Sequence, residues 1–248
     1  ENCLRRSQQM LALVQDVEEE TQSHDGALRG QLRITCSMSF AYAQMAAAVV
    51  DFLQLHPQLK IDLNASEGAL NLVEARIDLA IRISAEPDPA LIGRVLAPCT
   101  SVLVASPAYL AAHGVPQLPA DLATHRCLSY ANFGKSVWTF SRGDDHARVS
   151  VGSYFSANEA TALLQGVLAG GGIALQPSYL ANPHLQDGSL QVVLPDWKVP
   201  DMAIYALYPS RKHLSPAVRA LLDFLVERFA QVPWVPVVNH GLRTGNYQ

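Results

Sequence analysis

The sequence predicts an α/β protein built in two units, on three observations. Residues 32–83 alternate strand-like and helix-like patterns in a β-α-β-α-β order, which is how a parallel sheet covered by helices reads. A second alternation begins near Ser106. The length of 248 residues suits one large domain or two small ones, with ample material for a buried core.

The first segment stands apart. Met10, Leu13, Val14 and Val17 fall at i, i+3, i+4 and i+7, so residues 1–24 read as an amphipathic helix. Leu4, Leu11 and Ala12 widen its apolar band, and two readings stay open: packing against a partner, or lying on the surface of its own domain. His24-Asp25-Gly26 breaks the pattern.

Alternation then starts with a strand over 32–35. Ser39 stands where a helix cap is expected before residues 40–55, whose Met45, Val49, Phe52 and Leu53 follow helical spacing, and Pro57 ends that helix. Leu59, Ile61 and Leu63 alternate with Lys60, Asp62 and Asn64, a second strand; a short helix over 69–75 leads to a third over 78–83. Residues 84–90 read as a loop, followed by strands over 92–96 and 101–105. In the second unit a short helix opens at Pro107, and Pro116 and Pro119 punctuate an irregular connection. Strands are expected over 127–131, 137–140, 148–151, 173–176, 192–194 and 203–208, with helices over 159–168 and 216–229. No repeat recurs at a fixed period. The tail over 232–248, with Pro233, Pro236, Gly241 and Gly245, reads as irregular.

Composition narrows the function. Hydrophobic residues make up 49% and charged residues 16%, with 15 Gly and 15 Pro, so collagen-like and disordered classes are excluded. Eighteen Lys plus Arg against 22 Asp plus Glu leave a net charge of -4, the wrong sign for gathering a phosphate backbone. No run reaches the ~18–20 uninterrupted apolar residues of a membrane span, and ENCLRRSQQM is not an export signal, so a cytoplasmic setting without membrane contact is expected. Cys3, Cys36, Cys99 and Cys127 have no Cys-x-x-Cys spacing and read as reduced, buried thiols.

Catalytic motifs are missing: there is no Gly-x-Ser-x-Gly, His-Glu-x-x-His, phosphate loop or Gly-x-Gly-x-x-Gly. We therefore expect no enzyme, no cofactor, no metal and no catalytic residue, with Glu67 and Glu159 the only carboxylates worth testing otherwise. Gly170-Gly171-Gly172 follows a helix and precedes a strand, the reverse of a phosphate loop, and reads as a helix terminus with a tight turn. The informative stretch is Cys36-Ser37-Met38-Ser39, between the first strand and first helix. In an α/β sheet ligands lie beyond the carboxyl ends of strands, where a helix N-terminus favours negative charge and short hydroxyls complete a polar site. Ser66-Glu67-Gly68 and Ser84 hold the equivalent places after the second and third strands. Each serine alone also reads as a cap or a loop solubiliser. Arg82 carries two readings: an anion clamp, or a partner for Glu67, Glu74 or a backbone carbonyl.

The runs GQLRITCSMSFAY, LHPQLKIDLNASEG, RIDLAIRI, LVASPAYLAAHGVPQLPADLATHRCLSY, LLQGVLAGGGIALQPSYL and YPSRKHLSPAVRALLDFLVERF resemble, in order over residues 28 to about 230, the effector-binding portion of LysR-type transcriptional regulators. The resemblance implies a type II periplasmic-binding-protein-like fold: two α/β subdomains joined by two crossover strands, with an effector in the cleft between them. Subdomain I would comprise 28–103 and 207–231, and subdomain II 104–206. Residues 1–27 would be the end of a linker helix that pairs chains into a dimer or tetramer. A winged helix-turn-helix domain upstream of Glu1 would be the only part to touch promoter DNA.

By position the resemblance implies that Ser39, with Ser37 beside it, holds the polar head of a small anionic or carboxylate effector. Gly68 replaces a common Thr or Ser, so Ser66 or Glu67 would substitute. Arg82 and Ile83 lead into the cleft, Phe155 and Asn158 face it from subdomain II, and Pro177 closes the far wall. Phe133, Trp138 and Phe155 favour an aromatic effector. Asn71 replaces a common Asp, a structural difference. The rival expectation is a transporter's solute-binding protein on the same fold.

Overall fold

The computed structural model describes residues 27–66, 68, 71–86, 91–131, 137–208, 214–232 and 234. The helix expected over 1–24, Glu67, Phe133 and the end of the tail lie outside the described residues. In chain order the strands are β1 (Gly30–Cys36), β2 (Leu59–Ala65), β3 (Leu79–Ser84), β4 (Ile92–Cys99), β5 (Ser101–Ala105), β6 (Cys127–Tyr130), β7 (Val137–Arg142), β8 (Asp145–Ser150), β9 (Ser153–Ala157), β10 (Ile173–Pro177), β11 (Gln191–Val192) and β12 (Met202–Tyr208). The helices are α1 (Met38–Leu55), α2 (Pro107–His113), α3 (Ala160–Leu168), α4 (Ser178–Gln186) and α5 (Pro216–Ala230).

By their internal contacts the described residues of Glu1–Arg82, Pro87–Leu96 and Tyr205–Gln231 form one unit, and those of Ile83–Glu86, Ala97–Ile204 and Val232–Gln248 a second. Apart from the short Ile83–Glu86 segment, the chain leaves the first unit within β4 and returns within β12. This division falls after Leu96 rather than after Leu103, because β5 pairs with β10 and β11 and so belongs wholly to the second sheet. The return falls at Tyr205 rather than at Leu207.

In the first unit the strand order is β2-β1-β3-β12-β4, with β1 parallel to both β2 and β3. Alternating residues Leu32, Ile34 and Cys36 are buried on β1, and Leu79 and Ile81 on β3. Helix α1 buries Phe40, Met45, Ala48 and Phe52 completely, and α5 buries Leu221, Leu225 and Phe229. Phe40 meets Phe229 edge-on at 5.7 Å and Phe52 meets Phe224 at 5.3 Å. Among the described residues α1 is the one helix long and apolar enough to cross a membrane. Its aromatic face is instead packed into this core. The rim adds an Asp51–Arg228 ion pair and an Arg94–Asp223 pair at 2.6 Å.

Of the helix expected over 69–75, the described residues 71–75 form a single turn. Asn71 Oδ1 accepts from the amides of Val73 and Glu74 at its start. At its end Arg76, at φ 52°, closes a Schellman motif: Arg76 N–H donates to Val73 O and Ile77 N–H to Leu72 O, with Leu72 and Ile77 packed in one apolar cluster.

The second unit's sheet has the order β11-β5-β10-β6-β9, and β7 pairs with β8 as a hairpin. Leu103, Ala105, Cys127 and Ile173 on one face of the sheet share a core with Tyr109, Leu122, Trp138, Phe140 and Val149. Ser106 caps α2, accepting from Tyr109 N–H with Pro107 at the first helical position. Helix α3 packs on the opposite face. Gly166 permits that approach: a Cβ there would lie 2.7 Å from Leu128 Cδ2. Gly170, at φ 79°, closes α3 in a second Schellman motif, with Gly170 N–H on Val167 O and Gly171 N–H on Gly166 O. The triple glycine is therefore a helix terminus and turn.

Three elements escape the periodicity reading. Pro119–Thr124 forms a 3-10 turn whose preceding amides, Gln117 and Leu118, donate to Asp121. Strand β9 is short and largely exposed. Helix α4 contains Pro183 and follows Pro177, two residues that read as breakers, yet it buries Tyr179, Leu180, Ala181 and Leu185. The tail also begins with order: Trp234 is buried, and its carbonyl accepts from Thr100 Oγ1 and Ser178 Oγ.

Candidate functional site

Each unit builds the same topological feature. In the first, the chain moves from β1 to β2 on one side of β1 and from β2 to β3 on the other, so the direction reverses between β1 and β3. In the second, β6, β9 and β10 are parallel in the order β9-β6-β10, and the reversal lies between β6 and β10. At such a switch point the connections leave toward opposite faces, and a crevice opens beyond the carboxyl ends of the strands.

Ser37 directly follows β1 at the first switch point. It is extended, at φ -64° and ψ 152°, and caps α1 through its carbonyl, which accepts from Ala41 N–H. Its hydroxyl makes no cap hydrogen bond. Among the described residues Ser37 Oγ is buried and has no partner, a state that costs about 1–3 kcal/mol unless another group arrives. The cap is therefore Ser37; the expected cap, Ser39, lies in the first helical turn and is 4% exposed. The sequence pattern could not separate the two serines, because either leaves the apolar spacing of the helix intact.

Ser66 N–H donates to Cys36 O, which brings the end of β2 against the end of β1. The Ser66 hydroxyl accepts from Gly68 N–H at 3.3 Å, closing a local turn. Ser84 likewise turns back on Glu86, accepting from its amide and donating to its carbonyl. Of the hydroxyls after the three strands, those of Ser66 and Ser84 are spent locally and that of Ser37 is left over. Arg82, half-buried on β3, donates to Ile81 O at 3.0 Å and reaches Thr35 Oγ1 at 3.5 Å. Its guanidinium bridges the β1–β3 seam, so a backbone carbonyl is one of its partners and a positive charge stands at the switch point. Ile83 is half-buried next to it.

In the second unit Phe155 and Asn158 are exposed, and Pro177, at the end of β10, is half-buried. β6 separates their strands. Trp138 belongs to the apolar core and is 8% exposed, which removes it from an effector-facing role. Glu159 caps α3, its Oε2 accepting from Ala162 N–H at 2.9 Å, while its Oε1 is buried without a partner. Among the described residues no three His, Cys, Asp or Glu side chains gather as a metal group would require. Burial pushes the thiols of Cys99 and Cys127 up to about 12, as inert core cysteines require.

The sequence reading missed Gln176 and Ser129. Both occupy the penultimate positions of the strands that flank the second switch point, both are almost wholly buried, and among the described residues Gln176 Oε1 and Nε2 and Ser129 Oγ have no partner. The available signal was the glutamine itself, a polar interruption of the apolar run Ile173-Ala174-Leu175.

Residues 25–230 match the family model described as the LysR substrate binding domain. The chain is 32% identical over 231 residues to the HTH-type transcriptional regulator PtxR of Pseudomonas aeruginosa, covering 92% of this chain and 73% of that protein. It is 32% identical over 219 residues to an HTH-type transcriptional regulator of Xanthomonas campestris pv. campestris, covering 85% of this chain and 64% of that protein, just under two thirds of its length. Among solved structures it resembles CrgA, a LysR-type transcriptional regulator from Neisseria meningitidis, with a TM-score of 0.76 and 29% identity over 91% of this chain and 77% of that one. The two α/β units are those of the type II periplasmic-binding-protein-like fold, and the chain belongs to the LysR substrate-binding domain family, the effector-binding part of LysR-type transcriptional regulators.

Proposed function

We propose that this chain senses a small carboxylate or similar anion whose charged group docks at Ser37. The observation that carries this is the buried Ser37 hydroxyl, left without a partner at a helix N-terminus on a sheet switch point. The macrodipole of α1 favours negative charge there by about 0.3–1 kcal/mol, and the Arg82 guanidinium adds a fixed positive charge on the same seam. Ser39, Ser66 and Gly68 are further candidates of the first unit, Ile83 follows Arg82 on β3, and Glu67 is a candidate outside the described residues. Phe155, Asn158 and Pro177 are the second unit's candidates.

In the intact regulator, occupancy alters the geometry of a homo-oligomer on promoter DNA, which a separate DNA-binding region contacts. Such coupling requires only that the effector bind two arrangements with different affinity, typically by about 1–3 kcal/mol, and needs no chemistry on the ligand. The setting is the cytoplasm, and self-association runs through the amphipathic segment over 1–24.

Calorimetric titration of benzoate and succinate into wild type and Ser37→Ala tests the site. The expected result is binding that Ser37→Ala weakens by about 5–30-fold, on the order of 1–2 kcal/mol, while Ser39→Ala does less. Equal affinities in wild type and Ser37→Ala remove Ser37 from the site. Light scattering tests self-association; a strict monomer counts against the oligomer reading.

A further inference from the structure

We infer that the second unit carries a ligand-reading position of its own, the side-chain amide of Gln176, and that it selects a ligand group presenting a hydrogen-bond donor and an acceptor on one edge, as a carboxamide does. This rests on the reading of the chain as an effector-binding domain but not on the anion at Ser37. Gln176 is 0% exposed, and neither Oε1 nor Nε2 has a partner among the described residues. Native interiors satisfy such groups almost without exception, with protein, water or ligand, and among the described residues no protein group satisfies this amide.

Its position says where a partner comes from. Gln176 is the penultimate residue of β10, one of the two strands flanking the second switch point, at the end of the sheet where α/β folds take ligands. Register places it opposite Val102 of β5 and, by alternation from the Ala174–Leu128 pair, on the face that α3 covers at Leu128. Ser129 lies on the opposite face by the same alternation, so its hydroxyl belongs to a different environment. A carboxylate only accepts and leaves Oε1 unsatisfied. A carboxamide edge, which donates to Oε1 and accepts from Nε2, satisfies both atoms.

The test follows the Gln176 side-chain NH₂ signals of the isotope-labelled full chain by NMR, assigned by their loss in Gln176→Met or, should that variant not fold, in Gln176→Glu. Acetamide and acetate serve as probes of near-equal shape. The expected result is a concentration-dependent shift of the Gln176 signals with acetamide and little with acetate. In addition, ligand-free Gln176→Met should melt about 2–4 °C above wild type, because the replacement keeps the volume and removes two unsatisfied atoms. Signals that ignore acetamide, or a lower melting temperature in Gln176→Met, overturn the proposal by making the amide a structural group. Equal shifts with both probes overturn the stated ligand class. Acetate's effect on the backbone amides of Ser37 to Ser39 reports separately on the anion reading, so the two fail independently.

Discussion

The two sheets share the order second-first-third in their parallel strands, β2-β1-β3 and β9-β6-β10, yet they end in different chemistry. Among the described residues an unpartnered hydroxyl stands at each switch point, Ser37 at the first and Ser129 at the second, but the first adds a guanidinium and the second an unpartnered amide. Their helical turns close alike, by Schellman motifs, but with Arg76 in the left-handed position of one and Gly170 in the other. Strand order decides where the switch point falls, and the side chain placed there decides which polar group is buried without a partner.

The largest expected effect tests whether the units have equivalent cores. Phe229→Ala in the first and Phe140→Ala in the second each delete a ring that is at most 1% exposed, and each should cost about 3–5 kcal/mol by urea denaturation. A cost under about 1 kcal/mol at either site would show that core to be loosely packed. A smaller effect separates the two turns. Arg76→Gly should stabilise the chain by about 1 kcal/mol, because a side chain at φ 52° is strained, whereas Gly170→Ala should destabilise it by a similar amount. Changes of the same sign would break the parallel between the motifs.

The smallest effect belongs to the second unit alone. Burial, with the nearby His113 charge, holds the His125 imidazole below its ordinary value, while Asp121 pulls weakly the other way; Tyr109 Oη lies 3.1 Å from its Nδ1. The folded state therefore binds fewer protons than the unfolded chain as pH falls below about 6.5, and stability declines as His125 is forced to charge. Urea midpoints measured on either side of that pH should fall less in His125→Gln than in wild type. An equal fall in both would place the pH dependence elsewhere.

Much of the architecture was legible because buried strands and amphipathic helices write their periods into the chain. The strands of the first unit and helices α1, α3 and α5 follow from apolar spacing, and Ser106-Pro107 announces α2. Helix α4 was not legible, because Pro183 is a breaker in isolation and tertiary burial of Tyr179, Leu180 and Leu185 overrides it. The candidate site was legible as a neighbourhood rather than as atoms. Cys36-Ser37-Met38-Ser39 pointed to the strand end, but which serine caps, and which hydroxyls are consumed in local turns, depends on hydrogen bonds that no spacing encodes. Trp138 shows the same limit: an aromatic residue counts toward a ligand or a core only once its neighbours are known.

The amino-acid sequence by itself determined the α/β class, the family and the strand-end stretch around Ser37, since these depend on local period and ordered motifs. Only the tertiary structure decided that Ser37 rather than Ser39 caps the helix, that Ser66 and Ser84 spend their hydroxyls on turns, and that Gln176 is buried without a partner. Whether a polar atom is satisfied depends on groups far away in the chain, which pairing and packing alone bring within reach.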